Sequence, residues 1–194
     1  MGGDWLKDAR QASQDIKSAI SLQSDDPTVL FLVGGASWFM GRVLPGVPLL
    51  ERAIQLNPNL AMARALLSLG YASLDRAADG LAQVDVAFRL SPRDPMACQF
   101  FAAQSLCHFA AGEFSCAISS AEKGLQINPT SLDNHLYMAA ALAEAGEKTK
   151  ARRQIEHALR IAPKMSLEII SRGGRDALGW QKYHVALRNA GLPG

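Results

Sequence analysis

Small and apolar residues recur along this chain in paired helical blocks, and the pairs repeat with a period of 34 residues. Within each pair the first block carries a small residue at its eighth position, where neighbouring helices touch. A glycine stands at the fifteenth position in three pairs (Gly41, Gly112, Gly146), and Asp75 takes its place in the other. Glycine is expected there because a left-handed helix C-cap suits it best. The twentieth position, where the two helices of a pair cross, is small throughout: Gly46, Gly80, Ala117 and Ala151. So is the twenty-seventh: Ala53, Ala87, Gly124 and Ala158. Each pair closes on one phrase, Leu56-Asn57-Pro58, Leu90-Ser91-Pro92, Ile127-Asn128-Pro129 and Ile161-Ala162-Pro163, and the prolines stand 34, 37 and 34 residues apart.

A 34-residue helix-turn-helix period with small residues at set offsets and a terminal proline resembles the tetratricopeptide (TPR) repeat. The resemblance implies an all-α chain, a right-handed α-solenoid with a C-terminal capping helix. Four units are expected at 27–60, 61–94, 98–131 and 132–165, with Pro95-Met96-Ala97 inserted before the third. About eleven helices of roughly 12–15 residues follow, with no strand. Gly34-Gly35 and Pro45-Gly46-Val47-Pro48 interrupt the first unit, so its second helix is expected to begin near Pro48, proline being comfortable only in the first turn. Residues 1–26 read as the second helix of a truncated preceding repeat: Ala12, Ile16, Ala19 and Leu22 match Gly46, Leu50, Ala53 and Leu56. A solenoid rarely opens on half a unit, so the expectation is a segment of a longer protein. Residues 166–194 read as capping helices. Arg172-Gly173-Gly174-Arg175 interrupts them, Asp176 is the candidate N-cap of the last, and Leu178, Val185 and Leu187 with Trp180 and Tyr183 offer apolar surface for capping the last repeat.

Composition adds limits rather than chemistry. No run of about 18 apolar residues exists to span a membrane, and the start has no basic segment followed by an apolar core. The three cysteines, Cys98, Cys107 and Cys116, stand nine apart with neither CxxC nor Cys/His metal spacing. They are expected to be small buried side chains in a reducing compartment, which places the chain in the cytoplasm. The net charge of +2 hides an asymmetry, because residues 148–188 hold ten Lys/Arg against three Asp/Glu. That basic end reads as solvated outer helix faces; nucleic-acid binding is not expected, since no recognition motif interleaves it.

No catalytic or cofactor site is expected. Gly34-Gly35 and Gly173-Gly174 follow no strand and fit no phosphate-loop pattern. The four histidines (His108, His135, His157, His184) fall on different helices without Asp/Glu at ligand spacing, so no metal is expected. The informative surface is the concave wall lined by the first helix of each unit. Its inward positions include Phe31, Trp38, Phe39, Met62, Leu69, Gln99, Leu106, Phe109 and Leu136. The wall is apolar and almost free of cations, unlike the carboxylate-gripping TPR clamps. A protein or peptide ligand of apolar character is expected there, or else the chain itself or a second copy in a homodimer.

A narrower resemblance rests on Arg89-Leu90-Ser91-Pro92-Arg93-Asp94-Pro95-Met96, on Cys107-His108-Phe109-Ala110-Ala111-Gly112 and on the ending Tyr183-His184-Val185-Ala186-Leu187-Arg188-Asn189-Ala190-Gly191-Leu192-Pro193. Together these are similar to the C-terminal TPR regions of bacterial class III adenylate/guanylate cyclases. The resemblance implies a non-catalytic regulatory or scaffold appendage of a larger signalling protein. None of a cyclase's metal- or purine-binding residues is present to carry over.

Overall fold

The computed structural model describes residues 25–172 and 177–194. Among them are ten α-helices and no strand. They run α1 Pro27–Phe39, α2 Val43–Leu56, α3 Ala61–Ser73, α4 Ala77–Leu90, α5 Ala97–Ala110, α6 Phe114–Ile127, α7 Leu132–Glu144, α8 Lys148–Ile161, α9 Leu167–Arg172 and α10 Leu178–Ala190. The helix expected upstream of residue 25, and Asp176 as a cap, lie outside the described residues. α10 begins after Ala177, which offers no side-chain cap bond.

Helices α1 to α8 form four antiparallel pairs that stack in order into an α-solenoid. The turn inside each pair is the same device four times. Gly41, Asp75, Gly112 and Gly146 all adopt positive φ, between 62° and 81°. The next N–H then reaches back five residues: Arg42 to the Ser37 carbonyl, Arg76 to Tyr71, Glu113 to His108 and Glu147 to Leu142, at 2.8–2.9 Å. This bond satisfies a helix-end carbonyl that would otherwise be orphaned. Asp75 tolerates the left-handed position that glycine holds in the other three turns.

The proline phrases end the second helices by a different rule. Proline disfavours helical geometry in the residue before it. Asn57, Ser91, Asn128 and Ala162 accordingly leave the helix at φ between −130° and −139°.

Small residues sit where backbones nearly touch. A Cβ on Gly46 would lie 2.9 Å from the Gly34 carbonyl oxygen, and one on Gly80 would lie 3.0 Å from the Ser68 oxygen. One on Gly124 would collide with the Asn134 amide. Asn134 is fully buried and donates to the Cys98 carbonyl (3.0 Å) and the Ser131 hydroxyl (2.8 Å), tying the third unit to the fourth. The glycines of the first unit therefore serve a close crossing, and α2 is longer than expected. It starts at Val43, not near Pro48, with Pro45 in its first turn and Pro48 inside it. Val43, Gly46 and Val47 are already buried, so packing against α1 outweighs the missing N–H of Pro48.

In the fourth pair Ala151, Ile155 and Ala158 are buried while Thr149, Lys150 and Arg153 face solvent. Ala151→Leu is expected to cost about 1–3 kcal/mol by overpacking, whereas Lys150→Ala should stay within about 0.5 kcal/mol. Thermal melts of the two variants check this, and equal shifts would contradict the placement.

Candidate functional site: the inner wall and the helix that covers it

The inner wall is formed by α1, α3, α5 and α7. Lying along it is α10, which packs on α7 and also touches α3, α5 and α8. It covers the last unit, as a capping helix would, and reaches past it across two earlier ones. Its sequence explains the fit: Trp180, Tyr183, Ala186, Leu187 and Ala190 recur at three- and four-residue spacing and form one stripe. Tyr183, Ala186, Leu187 and Ala190 are buried, whereas Gln181, Lys182, Val185, Arg188 and Asn189 are exposed.

The contacts run the length of the helix. At its start, Gly179 lies so close to the end of α3 that a Cβ would stand 2.7 Å from the carbonyl oxygens of both Ala72 and Ser73. Trp180 meets Trp38 edge-on at 6.1 Å and donates its indole N–H to the Ile170 carbonyl at 3.1 Å. Lys182 reaches Asp75 at 3.1 Å. Tyr183 packs against Phe109 (6.0 Å), Tyr137 (5.4 Å) and Trp180 (4.9 Å). Beyond the helix, the Pro193 carbonyl accepts from the Leu167 N–H at 2.7 Å, which fastens the chain end to α9. Gly191 adopts φ 98° and ends α10 by the same bond used in the repeats, Leu192 N–H to the Leu187 carbonyl.

The expected wall residues divide between two apolar clusters. Leu69, Leu106, Phe109 and Leu136 are buried in one cluster with Tyr183, Ala186, Leu187, Ala190 and Leu192 of the C-terminal segment. Met62 packs on that cluster, half-buried. Phe31 belongs with Val43, Val47, Tyr71 and Ala177 in the other cluster. Trp38 and Trp180 touch both. Gln99 is half-buried, and Phe39 lies at the end of α1. Sequence reasoning placed Trp180, Tyr183, Val185 and Leu187 as apolar surface at the chain's end, of which Val185 is instead exposed; it singled out Asp75 only as a turn residue, and Tyr137 and Gly179 not at all. The stripe of α10 was legible as amphipathic, but its docking place was not.

One acidic group stands against this apolar wall. Asp133, in the first turn of α7, has its carboxyl raised by burial, and its charge adds to the raising of Tyr137 and Tyr183. Burial also pushes both tyrosines well above their ordinary value. The Asp133 carboxyl holds its proton more tightly folded than unfolded. It therefore favours the fold in acid and disfavours it as pH rises through its raised value. Asp133→Asn is expected to raise the melting temperature at pH 7, with the difference shrinking at pH 4. Equal differences at the two pH values would contradict this.

Three expectations about polar groups need correction or addition. Cys98 and Cys107 are buried, but Cys116 is exposed, because its position in the first turn of α6 faces outward. His108 does have a carboxylate partner: the turn at Gly112 folds Glu113 back to within 2.6 Å of its Nδ1. His135 and His157, on different helices, stack at 5.2 Å, with Arg160 bonded to His157 at 2.7 Å. Desolvation and the Arg160 charge lower the His157 pKa.

No family model and no curated protein matches the chain. Solved structures do. A thermophilic TPR protein of Thermus thermophilus superposes with TM-score 0.63 at 22% identity, over 84% of this chain and 91% of that one. The fold is that of a TPR solenoid. PilW, a widely conserved type IV pilus biogenesis factor, matches over 94% of this chain and 83% of its own, at 16% identity and TM-score 0.67. The APC/C hetero-tetramer Cut9-Hcn1 gives TM-score 0.68 at 13% identity, over 95% of this chain and 34% of that one. These likenesses carry the architecture. Among the described residues no helix is long and apolar enough to cross a membrane.

Proposed function

We propose that this chain is a non-catalytic protein-interaction module whose inner wall binds an amphipathic helix, and that α10 is the resident occupant. One observation carries the reading: an entire helix lies in the groove of a TPR solenoid, anchored by Trp180 and Tyr183. A wall that accommodates this helix suits a partner helix with the same stripe, a small residue where Gly179 sits and aromatics three to four residues apart. The wall is apolar, so the partner is recognised by its stripe rather than by a terminal carboxylate. The same groove could receive α10 from a second copy, which makes a homodimer by exchange the second reading; the Gly173-Gly174 pair before α10 favours it by composition. The similarity to cyclase C-terminal regions supports a place in a larger cytoplasmic signalling protein, and the free cysteines fit a reducing compartment. The basic residues of α8 are exposed on the outer side, away from the wall, and nucleic acid is not proposed as a partner.

The test uses a fluorescently labelled peptide spanning residues 177–194, titrated into wild-type protein and into Gly179→Leu. The resident helix should exclude the peptide from wild type. The variant, with its own helix displaced, should bind at least about tenfold more tightly, as expected when competition by a tethered segment is removed. A variant that keeps its helicity, releases α10 and still ignores the peptide would overturn the reading. Light scattering of wild type separates self-exchange from a monomeric resident helix.

A further inference from the structure

In the second, third and fourth repeats the turn brings together side chains at positions eleven, sixteen and nineteen of the unit. The back-reaching N–H bond sets the first two side by side, and one helical turn sets the third beside the second. In the second unit they are Tyr71, Arg76 and Asp79: the Arg76 guanidinium lies 4.1 Å from the centre of the Tyr71 ring and is bonded to Asp79 at 2.7 Å. In the fourth unit Glu147 and Lys150 make an ion pair at 2.5 Å beside Leu142. Both corners are neutralised by opposite charges.

The third unit fills the same corner differently. Its three residues are His108, Glu113 and Cys116, with one ligand atom from each lying within 4.8 Å of the others. Where Arg76 stands at position sixteen of the second unit the third has Glu113, and where Lys150 stands at position nineteen of the fourth it has Cys116, so this corner holds neither a lysine nor an arginine. We propose that His108, Glu113 and Cys116 form a binding site for a divalent metal ion of zinc-like softness, with water or a partner's side chain as fourth ligand.

The donor set suits that ion. Imidazole nitrogen, carboxylate oxygen and thiolate sulfur are zinc's three protein ligand types, at bond lengths of about 2.0–2.3 Å. A tetrahedral shell needs the donors about 3.5 Å apart, so the His108–Glu113 pair must open from 2.6 Å while separations of up to 4.8 Å close. Torsions of Glu113 and Cys116 can supply these shifts, since both are exposed. The scaffold beneath them need not move. Gly112 at φ 78° and the Glu113–His108 backbone bond hold the turn, while Ala117, one residue beyond Cys116, is fully buried. Metal binding would replace the contact between His108 and Glu113 and engage the sulfur of Cys116 as thiolate. The site faces solvent at the edge of the solenoid and is independent of the groove. With one position open, it could pin a partner's histidine or cysteine.

The test titrates cobalt(II), a spectroscopic stand-in for zinc, into the untagged full chain under reducing, oxygen-free conditions. One equivalent should produce a thiolate-to-cobalt charge-transfer band, and zinc should bleach it. Cys116→Ser should abolish the band with helicity unchanged, since Cys116 is exposed and its loss leaves no cavity. His108→Ala and Glu113→Gln should each weaken cobalt binding by at least about tenfold. Absence of the band in wild type overturns the proposal. So does a full band in Cys116→Ser, which would place the metal on another cysteine, or unchanged affinity in both other variants.

Discussion

Gly179→Leu is expected to expel α10 from the inner wall while leaving the four repeats folded. The atoms in the way are the carbonyl oxygens of Ala72 and Ser73, each 2.7 Å from where a Cβ would stand. They belong to the end of α3 and its own turn, so they cannot swing aside as a flexible side chain would. Overpacking of this kind costs about 1–3 kcal/mol, and it falls on the docking of α10 rather than on the repeats. Once α10 lifts, the Lys182–Asp75 pair and the Trp180 bond to Ile170 go with it. Hydrogen exchange should show amides 178–190 losing protection while those of α3 to α8 keep theirs. Unchanged protection in α10 would mean that the helix can shift and remain docked.

Leu69→Ser combined with Phe109→Ser should have the largest effect on stability. Both side chains lie beneath α10, 6% and 5% exposed, in the cluster that also contains Tyr183 and Leu187. Deleting a buried leucine or phenylalanine costs about 2–5 kcal/mol, and each serine adds a hydroxyl that must be desolvated. The two losses share α10 as a neighbour, so their sum is not additive. A total on the order of 5 kcal/mol is comparable with the whole stability of an ordinary domain. The melting temperature should fall steeply, and α10 should be released at temperatures well below it. A preserved melting temperature would mean that these side chains form an open surface rather than a buried joint. Comparison with Gly179→Leu is informative, since that change acts on docking alone and leaves Leu69 and Phe109 in place.

The repeat was legible because its rules are local. Glycine or aspartate at the turn, small residues at the crossings and proline after the second helix each act within a few residues. Each therefore leaves a mark at a set offset, as Gly112, Ala151 and Pro163 do. The inner wall was legible for the same reason, since helical spacing alone assigns Leu69, Leu106, Phe109 and Leu136 to one side of their helices. Local rules failed where packing opposed them. Pro48 argued for a late start to α2, but burial of Val43 and Val47 against α1 carried the helix through it. What covers the wall depended on the chain's return over more than a hundred residues, as in the Lys182–Asp75 pair. No periodicity encodes that path. The His108–Glu113–Cys116 corner lay between these limits: its spacing of five and three residues fits no metal motif in a linear sequence, and only the left-handed turn at Gly112 makes the three side chains neighbours. Sequence alone thus determined the repeating unit and its apolar face, because both arise from contacts within one or two helices. Tertiary structure decided what occupies that face and which polar groups meet, because both depend on where distant segments are brought together.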